Sequence, residues 1–284
     1  MAFASFKEVL TDGLKKGYAV GQFNMNNLEF LQAIIETAEE ERSPVILGVS
    51  EGAMKYMNIE YTVAMAKAAA AKASVPVILH LDHGSSYEVV LKCIRAGFSS
   101  IMIDASHYPL EENIAKTKQV VHACHTLGID VEGELGTIGG VEDDISVDEK
   151  DATLARPEEA LRLVQETGID ALAPAIGSAH GMYKGDPELD FDRLAKIRDL
   201  TGIPMVLHGG SGIPDEDIRK AISLGVSKIN VNTENQVAFT NKVREILGKD
   251  ANVYDPRKYL GPAREAIKEV VREKMRLFGS NNRA

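Results

Sequence analysis

Eight short runs of apolar and β-branched residues recur along the chain: AVGQFN (19–24), PVILGVS (44–50), PVILHLD (76–82), SIMIDAS (100–106), DVEGELG (130–136), ALAPAIG (171–177), PMVLHGG (204–210) and KINVNTE (228–234). Between them lie stretches with apolar residues at three- and four-residue spacing, such as LEFLQAIIETAEEE, EENIAKTKQVVHACHTLG, PEEALRLVQETG and DEDIRKAISLG. That spacing is helical, and several of these stretches reach a glycine where a helix would end. Alternating strand and helix builds parallel βαβ units, and eight such units close into a barrel. The competing open, doubly wound sheet calls for GxGxxG after its first strand, which AVGQFNMNN does not supply. The pattern therefore predicts an α/β fold: a single (β/α)8 TIM barrel over residues 1–284, with an N-terminal helix and a C-terminal helical extension.

A formal charge of −10, without clustered Lys and Arg, argues against nucleic acid as a partner, because phosphate backbones are bound by basic patches. A small phosphorylated ligand stays compatible with that charge. No apolar run approaches the roughly 18 residues that cross a membrane. The N-terminus meets Lys7, Glu8 and Asp12 before any apolar leader segment can form, which reads as a cytoplasmic protein. Cys93 and Cys124 are too few for a disulfide framework and lack CxxC spacing, so both read as plain buried thiols.

In a barrel of this kind, chemistry sits at the C-terminal ends of the strands and in the loops that follow. Those positions here are Asn24, Ser50, Asp82 with His83, Asp104, Glu134, His180, His208, and Asn230 with Asn232. Three histidines from different strands, His83, His180 and His208, form the ligand set of a catalytic zinc or similar divalent ion with one position open. Asp104 and Glu134 are expected to support those ligands or to offer an alternative metal position. His122 and His125 fall on an outer helix as a surface pair, and His80 shares the inward face with Asp82 as scaffold.

A second signal is glycine-rich. HGGSGIPDEDI sets Gly209, Gly210, Ser211 and Gly212 between the seventh strand and a helix, and Thr233 in NVNTEN suits a helix N-cap. Loops after the seventh and eighth barrel strands are where this fold cradles phosphate, and Gly181 and Lys184 in HGMYKG could complete the cradle. The long interval TIGGVEDDISVDEKDATLARP (137–157) is expected to supply a mobile lid over 137–156, carrying a carboxylate at Glu142 or Asp143.

A metal and a phosphate at one barrel mouth fit aldol cleavage of a sugar phosphate. Zinc polarises a ketone and stabilises the enediolate left when the carbon–carbon bond breaks, Asp82 shuttles the proton on the departing aldehyde, and the lid carboxylate exchanges the proton on carbon. A lysine Schiff base would need a desolvated lysine inside the barrel. The strand interiors read as lacking one, Lys228 falling at the start of the last strand, and Lys184 is the one serious rival. A metal-dependent hydrolase on the same barrel is the more remote alternative.

LDHG (81–84), EGELGTIGGVEDD (132–144), GSAHGMYKG (177–185), VLHGGSGIP (206–214), KINVNTEN (228–235) and YDPRKYLGPAREAI (254–267) together resemble the class II, metal-dependent fructose-bisphosphate aldolases and the related tagatose-bisphosphate aldolases. The resemblance spans essentially the whole chain. It implies that His83, His180 and His208 hold Zn2+, with Asp104 and Glu134 as auxiliary metal-site carboxylates. It assigns Asp82 to the C4 oxygen of the sugar and Glu142 to the proton of dihydroxyacetone phosphate. It implies that Gly181, Lys184, Gly209, Ser211, Asn230, Asn232 and Thr233 hold the triose phosphate, with Asn24 and Ser50 near the distal end of a sugar bisphosphate. It further implies a monovalent cation, Na+ or K+, near the phosphate, a homodimer or homotetramer, and Arg257 reaching the distal phosphate from a neighbouring subunit. The continuation VEDDISVDEKDATLARPEEA is more similar to the tagatose branch and the tail YDPRKYLGPAREAIKE to the fructose branch. The expected substrate is fructose 1,6-bisphosphate, with tagatose 1,6-bisphosphate as the alternative.

Overall fold

The computed structural model describes residues 3–142, 145–147, 152–181, 183, 185 and 187–284. Its strands, in chain order, are β1 Val20–Asn24, β2 Val45–Val49, β3 Val77–Gly84, β4 Ser100–Ile103, β5 Asp130–Leu135, β6 Gly139–Glu142, β7 Ile145–Val147, β8 Ala171–Pro174, β9 Ala179–His180, β10 Met205–Leu207 and β11 Val226–Val231. Eight of them pair in parallel and close on themselves in the order β1-β11-β10-β8-β5-β4-β3-β2. Each of the eight runs read from the sequence overlaps one of these. The last differs most. Its strand starts two residues early and stops at Val231, because Asn232 caps a helix and Thr233 opens it. Thr233 is thus in the first turn and is not the N-cap.

The helices are α1 Phe6–Lys16, α2 Leu28–Glu41, α3 Glu51–Met57, α4 Ile59–Lys72, α5 Tyr87–Ala96, α6 Leu110–Thr126, α7 Pro157–Thr167, α8 Phe191–Thr201, α9 Asp215–Ser223, α10 Thr233–Lys249 and α11 Arg257–Phe278. Local chemistry sets their ends. The side chains of Ser5, Asn27, Ser86 and Asp190 accept N-terminal backbone amides, and α1, α5, α7, α8 and α11 stop at glycine. None of the described helices is long and apolar enough to cross a membrane.

Two apolar layers hold the barrel. The larger lies between the strands and the surrounding helices, and a smaller one fills the interior from below. There α1 inserts Phe6 and Leu10 among Val20, Ile46, Ile78, Ala171, Ala173 and Val206. Phe6 stacks face to face on His80, with ring centroids 5.0 Å apart. The C-terminal extension α11 buries Ala263, Ile267, Val271, Met275 and Phe278, and its Lys268 and Arg272 pair with Glu40 of α2.

The stretch read as a loop lid contains structure of its own. β6 and β7 form an antiparallel hairpin, and β6 also pairs in parallel with β9 through Gly139↔Ala179 and Gly140↔His180. The isolated bridge Thr137↔Thr153 closes the base of the excursion. Asp143 lies outside the described residues.

Because Phe6 is fully buried and both plugs the barrel and covers His80, Phe6→Ala is expected to cost about 3 to 5 kcal/mol. Urea unfolding monitored by circular dichroism would measure the loss, and a variant within 1 kcal/mol of the parent, roughly the size of a routine substitution, would contradict this role for α1.

Candidate active site

Strand alternation puts every second residue of a barrel strand inside, yet Asp82 and His83 are consecutive and both serve the rim. A bulge resolves this. Along β3 and β4 the pairing passes from Leu81↔Ile101 to Gly84↔Ile103, so β3 carries one extra residue, and His83 adopts a left-handed backbone with φ 50. The bulge and the left-handed turn aim His83 at the rim while Asp82 keeps its inward direction. A non-glycine residue in that region costs on the order of 1 to 3 kcal/mol, the kind of strain that persists where a site needs it.

The three imidazoles converge. Ring centroids of His83 lie 4.7 Å from His208 and 5.0 Å from His180, with 5.7 Å between the latter two, and one ligand nitrogen from each falls within 4.8 Å of the others. All three are buried. His83, Asp104 and Glu134 form a second such group. The three expected ligands therefore converge, and the two auxiliary carboxylates gather beside one of them, His83.

The outer nitrogens are tied down. His83 Nδ1 donates to Asp104 Oδ2 at 2.9 Å, and His208 Nε2 donates to Glu132 Oε1 at 2.8 Å, which leaves His83 Nε2 and His208 Nδ1 facing each other 3.0 Å apart. A carboxylate behind each imidazole, with the other nitrogen turned inward, is how metal-binding histidines are oriented, so these residues fit a divalent ion. Asp104 also accepts from Ser106, through its backbone N–H and, at 2.7 Å, its hydroxyl.

Glu132 was missed from the sequence, and so was the true place of Lys228. Lys228 lies inside the barrel, fully buried, with Nζ 2.9 Å from Glu132 Oε2, which corrects the expectation that the interior lacks a lysine. It cannot serve as a Schiff-base nucleophile in this arrangement, because it has no exposed surface and its ammonium is committed to Glu132. His80 Nε2 approaches the same carboxylate at 3.5 Å while its Nδ1 meets the Ser100 hydroxyl, as befits scaffold. The signal was available as alternation: Glu132 and Glu134 share one face of β5, as Lys228 and Asn230 do of β11.

Asp82 is held between two amides. Asn24 Nδ2 donates to one carboxylate oxygen at 3.2 Å and Asn230 Nδ2 to the other at 3.3 Å. Burial alone would raise its pKa, but the facing charges of His83 and Lys228 hold it below the usual carboxylate range. Asp82 is an anion at neutral pH. For His83, burial opposes the charged form, and the Asp104 hydrogen bond with the charges of Asp82, Asp104 and Glu134 overrides it, leaving the imidazole well above its ordinary value. Burial and the His83 charge push His180 down to about 3 and His208 well below normal. Glu134 is raised well above normal by burial and by Asp104.

The loop after β10 folds tightly against its neighbours. Gly209 has φ 66, and a Cβ there would lie 2.2 Å from the carbonyl oxygen of Ala179. Ser211 is buried and its hydroxyl accepts from the Glu234 backbone, while Glu234 Oε1 accepts from the Gly212 N–H at 2.7 Å and pairs with Lys274 of α11. Asn232 accepts from Asn26 Nδ2 at 3.0 Å, and Thr233 begins α10 beside it. Gly181 follows His180 directly. Ser50 caps α3 through the Ala53 N–H. Arg257 opens α11 with its side chain 89% exposed and bound to Asp255, apart from the rim cluster. His122 and His125 are both exposed on α6, as expected, and His125 bonds Asp170 at the base of β8. Lys184 lies outside the described residues, and of Glu142 only the backbone, at the end of β6, is described.

Residues 4–283 match the family described as class-II fructose-bisphosphate aldolase. The fructose-bisphosphate aldolase of Geobacillus stearothermophilus is 60% identical over 287 residues, covering 100% of this chain and 99% of that protein. The probable fructose-bisphosphate aldolase of Bacillus subtilis is 58% identical and covers 100% of both. The crystal structure of the YdjI aldolase from Escherichia coli K12 superposes with a TM-score of 0.89 at 39% identity over 99% of each chain. Fold and rim thus place the chain among the metal-dependent aldolases built on a closed parallel barrel. It belongs to the class II fructose-bisphosphate aldolase family.

The pKa directions set a pH dependence for the metal-free protein. His80 and His180, both near 3 when folded, bind protons in the unfolded chain from 6.5 downward, so their contribution to stability is lost as pH falls from 6.5 toward 3. His83 has the opposite sign: its contribution is fully present below 6.5 and is lost as pH rises through its raised value. The melting temperature of the metal-free protein is expected to fall between pH 6.5 and 4, and to fall less in His180→Gln. Identical slopes in the two proteins would contradict the buried, neutral state of His180.

Proposed function

We propose that the chain catalyses the reversible aldol cleavage of fructose 1,6-bisphosphate to dihydroxyacetone phosphate and glyceraldehyde 3-phosphate in glycolysis and gluconeogenesis. The observation that carries this is the convergence of His83, His180 and His208 beside an anionic Asp82 at the barrel mouth. The three imidazoles hold zinc, with Asp104 and Glu134 as nearby carboxylates. When bound, zinc supplies Lewis-acid polarisation of the substrate ketone and offsets the negative charge that develops on the triose fragment.

The protein's own groups move the protons. In cleavage, Asp82 takes the proton of the C4 hydroxyl as the C3–C4 bond breaks, and the C4 oxygen becomes the aldehyde of glyceraldehyde 3-phosphate. The bonding electron pair stays on the three-carbon fragment, and Glu142 of the lid over 137–156 delivers a proton to its carbon. Asn24 and Asn230 orient Asp82 for this by binding one oxygen each. Gly181, Lys184, Gly209, Ser211, Asn230, Asn232 and Thr233 receive the triose phosphate, with backbone amides and the start of α10 meeting the anion. Ser50 and Asn24 lie toward the distal end of the sugar. A monovalent cation, Na+ or K+, accompanies the phosphate. The working unit is a homodimer or homotetramer in which Arg257 of one subunit reaches the distal phosphate in the next, in keeping with its exposure at the start of α11. The free thiols of Cys93 and Cys124 agree with a cytoplasmic setting.

Tagatose 1,6-bisphosphate, which differs at the C4 hydroxyl, is the second reading, favoured by the lid sequence over 141–160. The curated relatives named fructose-bisphosphate aldolase favour fructose. Comparing kcat/KM for the two sugar bisphosphates on zinc-loaded enzyme decides between them, and the ratio is expected to favour fructose. A larger kcat/KM for tagatose would reverse the assignment.

Metal removal and two substitutions test the roles. Stringent chelation is expected to abolish cleavage and added zinc to restore it, with triose phosphate formed and no inorganic phosphate released; phosphate release instead would point to a hydrolase. Asp82→Ala should keep stoichiometric zinc and lose at least about 100-fold in kcat, the scale of a general acid–base group. His180→Ala should lose the zinc itself. Equal zinc content in the two variants, measured by elemental analysis, would refute the division of labour.

A further inference from the structure

We propose that Tyr183 is a positioning residue whose phenol fixes the spacing between the segments that carry His180 and His208, and thereby joins the metal site to the phosphate loop. This rests on the zinc-site reading above. The phenol oxygen accepts from the Ala179 N–H at 2.8 Å and donates to the Gly209 carbonyl at 3.0 Å. Ala179 directly precedes His180, and Gly209 directly follows His208. One hydroxyl therefore bridges the immediate neighbours of two of the three imidazoles.

The geometry on either side shows why the bridge matters. β9 is two residues long, and its strand partner among the described residues is β6 of the lid hairpin, outside the barrel. A strand that short has few ladder bonds to fix it. His180 thus reaches the rim on a segment attached to the lid on one side and to the loop after β10 through Tyr183 on the other. The contacts on both sides are tight: a Cβ on Gly140 would lie 2.1 Å from the His180 carbonyl oxygen, and one on Gly209 would lie 2.2 Å from that of Ala179. Tyr183 also lies beneath Gly212, whose Cβ would come 3.4 Å from its ring. The same side chain thus supports the glycine loop at Gly209 and at Gly212 and holds the His180 segment against it. Removing the hydroxyl leaves a backbone N–H and a carbonyl without this partner and lets β9 shift with the lid.

Tyr183→Phe keeps the ring and removes the bridge. Zinc affinity, measured by competition with a chromophoric chelator, is expected to weaken about tenfold, the scale of losing a group that orients a metal ligand. The melting temperature of the metal-free protein should fall by only the few degrees that losing one bridging hydroxyl costs. With zinc saturating, KM for fructose 1,6-bisphosphate should rise severalfold while kcat changes less. In the cobalt-substituted protein the visible ligand-field bands should shift, because the His180 geometry relaxes. Parent-like zinc affinity and cobalt bands in Tyr183→Phe would overturn the proposal. So would a metal-free variant that is unfolded at the assay temperature, which would make the phenol a general folding contact. If the parent protein itself binds zinc no better than His180→Ala does, the zinc-site reading fails and the proposal with it.

Discussion

Glu132 is buried between the ammonium of Lys228, 2.9 Å from one oxygen, and the imidazole of His208, 2.8 Å from the other. The rest of the site depends on this arrangement. A lone carboxylate in a dry barrel would cost several kcal/mol, and so would a lone ammonium; each makes the other tolerable at that depth. Buried ion pairs are weak sources of stability, and this one is better understood as a way of fixing direction. With Glu132 holding one nitrogen of His208, the other can point only toward His83. The apolar plug of α1 below and the polar rim above are thus joined by a layer of Glu132, Lys228 and His80.

The bulge in β3 answers a second constraint. A period of two along a barrel strand gives the interior one side chain in every pair, yet the consecutive residues Asp82 and His83 both reach the rim. One extra residue and a left-handed backbone at His83 present both at the cost of local strain. His83 then bonds Asp104 from the next strand, and Asp82 bonds Asn24 and Asn230 from β1 and β11, so adjacent residues draw their support from opposite sides of the barrel.

Much of this was legible in the sequence because barrels write their architecture at period two and their chemistry at strand ends. The eight strands, the three histidines and Asp82 follow from those rules. What escaped had specific reasons. Lys228 looked misplaced because KINVNTE was read as the whole strand; the structure starts it at Val226, which moves Lys228 inward. Glu132 was passed over because the neighbouring Glu134 lay nearer the strand end, although alternation gives both the same face. The β6–β9 pairing carried no sequence signal, since a two-residue strand has no periodicity. Tyr183 has a partner at Gly209, distant in sequence, and only the fold brings them together.

A hydrogen-bond chain crosses the rim. Asp104 accepts from His83 Nδ1, so the proton that titrates on His83 is the one on Nε2, and it faces His208 Nδ1 at 3.0 Å. His208 can accept it only while carrying its own proton on Nε2, which is the proton given to Glu132. Each tautomer along Asp104, His83, His208 and Glu132 is thus set by its neighbours. This accounts for the opposite displacements of His83 and His208: the first is held charged by the carboxylates around it, and the second is kept neutral by burial and by that charge. Were these imidazoles to hold a divalent ion, it would take the place of the proton between them while the outer hydrogen bonds to Asp104 and Glu132 stayed in place. The orientation of His83 and His208 is thus established by the carboxylates behind them.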